Sequence, residues 1–168
     1  MSPSAIARLV AAHKIRRIVA TSIVSEQSLP YGMQILDTPE VAYALWQGVV
    51  AADPAHEAEK ESLVVFLLNT RLVPYSWNLV SLGTLNETTA HLREILRPVI
   101  AGGAYSFVIM HNHPSGDPSP SPADARMTSR LVEACNIMDI RLLDHVIIGK
   151  SCPGRSSHYS FRESGQIP

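Results

Sequence analysis

The chain has 168 residues, of which 46% are hydrophobic and 17% are charged. A chain of this length can bury a core of its own, and this balance is typical of a folded globular domain rather than a disordered segment. The formal net charge of −1 gives no whole-molecule attraction to nucleic acid or to an anionic membrane. Cys135 and Cys152 form no C-x-x-C pair and no disulfide framework, and we predict no thiol nucleophile.

Residues 1–37 are predicted to form an N-terminal extension with one helix and one edge strand, ahead of a single domain over residues 38–168. The extension is mildly basic, which a solvated face explains better than a phosphate contact, and it shows no helix-hairpin-helix or zinc-finger pattern. The chain has no secretory signal pattern and no apolar stretch of ~20 residues. We therefore expect a soluble, cytoplasmic protein with no membrane partner.

The first half of the predicted domain contains one helix and two strands. Thr38 and Pro39 are typical of an N-cap and a first helical position, and this helix is expected to end near Asp53. The continuous apolar run over residues 62–68 predicts a strand covered on both faces. A turn and a returning strand over residues 74–83 follow.

The second half alternates helices with strands. A helix is expected to begin at Thr88 or Thr89 and to be kinked or shortened by Pro98. Next come an apolar strand over residues 105–110, a helix over residues 122–138, a strand over residues 140–148 and a short strand near residues 159–161. The long helix is predicted to turn four side chains inward: Met127, Leu131, Ala134 and Ile137. This alternation predicts an α/β fold with a central mixed sheet flanked by helices.

The stretch that follows the strand over residues 105–110 carries a set of metal-ligating residue types. His111 and His113 are two residues apart on an extended chain, so their side chains point to the same side. Asp124 lies at the start of the next predicted helix. Two imidazoles and a carboxylate with one position left open are the ligand set of a catalytic zinc site. We therefore predict one zinc ion bound by these three residues.

Asp124 also has a structural interpretation. Ser121 and Pro122 are typical of an N-cap and a first helical position, and an acid near the third position is held by backbone donors and the helix dipole. The two interpretations are compatible, since a capping carboxylate still has an oxygen to offer to a metal.

The spacing His111-x-His113-x7-Ser121-x-x-Asp124 resembles the JAMM signature of JAB/MPN metalloproteases. The fuller string from His111 to Thr128 is similar to the RadC branch, as are the segments at 93–95, 143–149 and 160–163. The resemblance covers roughly residues 38–168 and implies a JAB/MPN-type domain with cytidine-deaminase-like layering. Longer RadC proteins carry a helix-hairpin-helix-like N-terminal region, for which we expect no room here. A DNA-repair role suggested by the family name loses support accordingly.

The resemblance implies roles for individual residues. His111, His113 and Asp124 would hold zinc, Ser121 would help to stabilise an oxyanion, and an upstream glutamate would act as the base. Glu61 is the expected base because it stands at the mouth of a buried strand; the competing candidates are Glu57, Glu59 and Glu94. Asn112 and Ser115 either shape the loop or line a groove. Asp144 and His145 either orient a ligand or form a buried structural hydrogen bond.

The predicted activity is zinc-dependent hydrolysis of a peptide or isopeptide bond in a protein or peptide substrate. A zinc deaminase is excluded because it requires H-x-E and a later C-x-x-C, and this chain has neither. The His-Asn-His string is not an HNH nuclease motif, whose residues are separated in sequence. The remaining rival is a catalytically silent MPN-type module that binds a protein or DNA partner. The sequence leaves the oligomeric state open.

Overall fold

The computed structural model describes residues 35–83 and 91–168. Most of the predicted extension over residues 1–37, and the expected helix start at Thr88 or Thr89, lie outside these ranges. The described elements, in chain order, are α1 (Pro39–Leu45) continued by a π-helical turn (Trp46–Val50), β1 (Ser62–Leu68), β2 (Pro74–Leu82), α2 (Leu92–Ala101), β3 (Ser106–Asn112), α3 (Pro122–Met138), β4 (Arg141–Ile148) and β5 (His158–Ser160).

The strands form one mixed sheet in the order β2-β1-β3-β4-β5, which confirms the predicted α/β fold. β1 runs antiparallel to both β2 and β3, and β5 runs antiparallel to β4. β3 and β4 are parallel, and α3 is the crossover that a parallel pair requires. The carboxyl end of β3 and the amino end of α3 are therefore separated by one short loop.

The sheet is covered on both faces, as the apolar run of β1 predicted. β1 and β3 are buried along their whole length. One face packs against α2 and α3, through Ile95, Leu96, Val99, Leu131 and Cys135. The other face packs against α1 and the π-helical turn, through Ala42, Leu45, Trp46 and Val50. The described domain therefore has three layers, helix on sheet on helix.

The helix ends show which local signals decided the boundaries. Thr38 caps α1 and Pro39 is its first residue, as predicted, although helical structure ends at Val50 rather than near Asp53. α2 continues through Pro98 to Ala101, so the proline does not end it. Burial of the apolar face of α2 compensates for the one backbone hydrogen bond that a proline removes.

The inward face of α3 was predicted correctly except at its last turn. Leu131 is fully buried, and Met127 and Ala134 are partly buried against the same core. Ile137 is 86% exposed, so its predicted inward position is wrong. The last buried residue of α3 is Cys135, and every residue from 136 to 139 is exposed, because the helix has passed the core by then. No helix in the two described ranges is long and apolar enough to cross a membrane.

Candidate metal centre

The three predicted metal ligands meet at the carboxyl end of β3. The Nε2 atoms of His111 and His113 lie 3.0 Å apart. Asp124, in the first turn of α3, places Oδ1 3.4 Å from Nε2 of His111 and Oδ2 3.6 Å from Nε2 of His113. The three residues are thus a cluster that can hold a metal ion.

Two separations in this cluster are close to those of tetrahedral coordination. Zinc bonds of about 2.0–2.1 Å to nitrogen and oxygen place neighbouring ligand atoms of a tetrahedron about 3.3–3.4 Å apart. The two Nε2 atoms are 3.0 Å apart, and Nε2 of His111 is 3.4 Å from Asp124 Oδ1, whereas the 3.6 Å separation joins His113 to the other oxygen, Oδ2. His111 is only 1% exposed, whereas His113 is partly exposed, so the cluster is closed behind and accessible on one side.

His113 is oriented by the loop that follows β3. Its Nδ1 atom lies 2.7 Å from the carbonyl oxygen of Asp117. A carbonyl can only accept, so Nδ1 carries the proton, and the Nε2 atom of the neutral ring is free to bind a metal. The Asp124 carboxylate, which favours the protonated ring, raises the pKa of His113. A metal must therefore compete with a proton for this nitrogen.

His111 is oriented from behind by a second histidine. Its Nδ1 atom lies 2.9 Å from Nε2 of His145, which comes from the neighbouring strand β4. His145 is fully buried and stacks on the ring of Phe161 at 4.5 Å. Burial lowers the pKa of His111 to about 4, and it lowers the pKa of His145 as well. Both rings are therefore neutral near pH 7.

Asp144, the neighbour of His145 in sequence, bonds to the C-terminal segment. Its carboxylate accepts hydrogen bonds from the Ser160 hydroxyl at 2.6 Å, the Arg162 backbone N–H at 3.0 Å and the His145 backbone N–H at 2.7 Å. These bonds tie the C-terminal segment to β4. The sequence allowed two roles for this pair: orienting a metal ligand or forming a buried structural hydrogen bond. Asp144 has the structural role, and His145 contacts His111, a candidate ligand.

Asp124 is both a helix cap and a member of the cluster. The backbone N–H and the hydroxyl of Ser121 donate to its Oδ2 at 2.8 and 2.6 Å, and the Asp124 N–H donates back to the Ser121 hydroxyl at 3.2 Å. The predicted helix start is therefore present as a capping box. Desolvation raises the pKa of Asp124, but His113, His111 and Ser121 together outweigh it and hold the pKa well below its usual range. The group is a carboxylate, as a metal ligand must be.

Glu61 stands next to the cluster, directly before β1. The β1–β3 ladder ends at the Leu63–His111 pair, and Glu61 and His113 each lie two residues beyond it. Desolvation raises the pKa of Glu61, and the charge of Asp124 raises it further while His113 lowers it. This half-buried acid is electrostatically coupled to two members of the cluster.

The competing acids lie elsewhere. Glu57 pairs with Lys60 at 2.7 Å on the surface, and Glu94 is engaged with arginines on α2. Glu59 is exposed in the segment before β1. Glu61, by contrast, is half-buried and interacts electrostatically with His113 and Asp124.

Asn112 faces β1 rather than a groove. Its Oδ1 accepts from the Ser62 N–H at 2.9 Å, and its Nδ2 donates to the Lys60 carbonyl at 3.0 Å. The side chain thus brackets Glu61 on both sides, a role that sequence reasoning missed because it depends on strand register. Ser115 is exposed, and its hydroxyl accepts from the Asp117 N–H at 3.3 Å, which is ordinary turn chemistry.

Comparison with known proteins shows which family this chain is similar to. A family model described as "RadC-like JAB domain" matches residues 36–166. The UPF0758 protein of Chlorobium chlorochromatii (strain CaD3) is 44% identical over 111 residues, which are 66% of this chain and 48% of that protein. The UPF0758 protein of Rubrobacter xylanophilus is 35% identical over 136 residues, 81% of this chain and 55% of that protein. The chain spans about half the length of these curated relatives.

Proposed function

The chain belongs to the RadC-like JAB domain family, and from that premise we propose that it is a JAMM-type zinc metallohydrolase acting on a peptide or isopeptide bond. The observation that carries the proposal is the convergence of two imidazole nitrogens and one carboxylate at separations of 3.0–3.6 Å. Glu61 supports it further, because a half-buried acid with a raised pKa interacts electrostatically with His113 and Asp124. Hydrolysis by a metal-bound water uses both a metal site and a base beside it.

In this proposal His111, His113 and Asp124 hold the zinc ion. Bound zinc supplies a water of lowered pKa and polarises the scissile carbonyl. Glu61 accepts a proton from the attacking water and passes it to the leaving amine.

Ser121 is proposed to stabilise the oxyanion. Its hydroxyl donates to Asp124 at 2.6 Å, so it must rotate away to reach a substrate oxygen. The backbone N–H of the same residue also donates to Asp124 at 2.8 Å, and this bond holds the carboxylate while the hydroxyl turns. Ser121 can therefore serve as a cap and as an oxyanion donor at different moments.

The test combines metal content with hydrolysis. We expect about one zinc per chain in the wild type, none in His113→Ala, and normal zinc in Glu61→Gln. With a library of fluorogenic peptides and isopeptide-linked conjugates as substrates, Glu61→Gln should lose roughly 10²–10⁴-fold in rate. Glu57→Gln is the matched control, because Glu57 pairs with Lys60 away from the cluster. A wild type that takes up no added zinc would refute the hydrolase proposal.

The same experiment addresses the alternative of a catalytically silent module that binds a partner. Zinc uptake without hydrolysis of any conjugate would favour that alternative. Salt-dependent binding of duplex DNA by the wild type would then indicate a nucleic-acid partner, and its absence at moderate salt would count against a DNA-repair role.

A further inference from the structure

A chain of three hydrogen bonds joins two of the metal ligands behind the site. The hydroxyl of Thr128 donates to the Asp124 carbonyl oxygen at 2.7 Å and lies 2.6 Å from Nδ1 of His145. The Nε2 atom of His145 lies 2.9 Å from Nδ1 of His111. Thr128, His145 and His111 are all at most 1% exposed, so water does not substitute for any link. We call these three residues the relay.

While the Thr128 hydroxyl donates to Asp124, the chemistry of the groups fixes the direction of the relay. A backbone carbonyl can only accept, so the single Thr128 proton goes to Asp124, and the Thr128 oxygen must accept from Nδ1–H of His145. A neutral His145 with its proton on Nδ1 accepts at Nε2, and therefore receives Nδ1–H of His111. The Nε2 atom of His111 is then left with a lone pair that points at the metal site.

We propose that Thr128 and His145 are positioning residues for the metal, which hold His111 in the tautomer that presents its Nε2 lone pair. The inference rests on the proposed function only in requiring that a metal binds. Groups that donate to or accept from the far nitrogen of a metal-bound histidine fix its tautomer and ring orientation. Because the Thr128 hydroxyl also bonds to the Asp124 backbone, one side chain holds ligands from β3 and α3 together.

The relay has a second arrangement, open to the zinc-free protein, in which the Thr128 hydroxyl gives up its bond to the Asp124 carbonyl oxygen. Without a metal, two unprotonated Nε2 atoms would face each other at 3.0 Å. The conflict disappears if Thr128 donates to His145, His145 donates from Nε2 to His111, and His111 donates from Nε2 to His113. Each ring keeps one proton, so the change is a shift of tautomers without net proton uptake. Metal binding therefore reverses the direction of the relay.

The first test is zinc affinity, measured by competition with a chromogenic chelator. Thr128→Val keeps the shape of the side chain and removes its hydrogen bonds, and it should weaken zinc binding by about 10–100-fold. Thr128→Ser keeps the hydroxyl and should restore affinity to within about threefold of wild type. Ser129→Ala, an exposed hydroxyl deletion on the same helix, is the matched control and should change nothing.

A double-mutant cycle separates a relay from two independent packing roles. His145→Phe also breaks the chain, while it keeps an aromatic ring to stack on Phe161. If the residues act in series, Thr128→Val with His145→Phe should lose no more zinc affinity than the worse single variant. Independent packing roles would instead give losses that multiply, which would refute the relay.

Nitrogen-15 NMR of the histidine rings tests the relay in the wild type, where folding of a variant is not at issue. We expect the His145 proton on Nε2 in zinc-free protein and on Nδ1 after zinc is added. A His145 proton on Nε2 in the zinc-loaded protein would overturn the proposal. Equal zinc affinity of Thr128→Val and wild type would refute the relay alone, whereas no zinc binding by the wild type would refute it together with the proposed function.

Discussion

Replacing Asn112 by aspartate tests how β1 is held beside the metal centre. The Asn112 oxygen accepts from the Ser62 N–H at 2.9 Å, and its amide nitrogen donates to the Lys60 carbonyl at 3.0 Å. The substitution preserves the shape and the first bond. It turns the second into a contact between two acceptors, since an ionised carboxylate has no proton to give.

The loss of stability follows from the hydrogen bond to the Lys60 carbonyl, which the substitution removes. A shielded acceptor left without a donor costs about 1–3 kcal/mol. Asn112 is buried but Lys60 is exposed, so the loss should lie within that range, about 1–3 kcal/mol. For a domain of this size the melting temperature should fall by roughly 2–12 °C. The loss should shrink as the pH falls, because the new carboxyl has a raised pKa when folded and regains a donor once protonated.

The assay is urea unfolding at pH 7.5 and pH 4.5, with Asn69→Asp as the matched control. Both hydrogen bonds of the Asn69 side chain are accepted by its oxygen, from the Arg71 and Val73 N–H groups. The same chemical change should therefore cost little there. If the two substitutions change the free energy of unfolding equally, the two hydrogen bonds of Asn112 do not hold β1 as described.

Three further predictions concern the surroundings of the ligands. Gly149→Ala should lower zinc affinity, because the new Cβ would lie 2.6 Å from the Gly116 carbonyl oxygen and displace the loop that orients His113. Gly48→Ala is the control and should leave zinc affinity unchanged, because there is open space around Gly48. Zinc affinity measured against pH should fall about tenfold per unit as His113 protonates, starting above the ordinary value of 6.5 because its pKa is raised. Asp144→Asn should lower the free energy of unfolding by about 1–3 kcal/mol in a denaturant titration, because an amide cannot accept all three hydrogen bonds.

The parts of this structure that sequence predicted correctly are those decided by local chemistry. β1 was recognisable because a continuous apolar run is typical of a strand covered on both faces, and all seven of its residues are buried. α3 was recognisable because Ser121 and Pro122 mark its start. The convergence of His111 and His113 follows from the two-residue repeat of an extended chain, which needs no knowledge of neighbouring strands.

The parts that sequence could not supply depend on register between strands. Asn112 and Lys60 are 52 positions apart in the chain, and they meet only because β1 and β3 pair as they do. His145 lies behind His111 because β4 is the parallel neighbour of β3. Periodicity failed at Ile137 for a related reason, since it predicts which face of a helix points inward but not where the sheet beneath it ends.

The topology explains why one short stretch of sequence can carry almost the whole site. In a parallel β-α-β unit the end of the first strand and the start of the helix lie at the same edge of the sheet, so β3 delivers two histidines and α3 the carboxylate. Each of these side chains already has protein partners: Asp117 for His113, His145 for His111 and Ser121 for Asp124. The ligands are therefore oriented before any metal arrives. Zinc binding should complete a site that is already folded, whereas in a zinc finger the free energy of zinc binding drives folding.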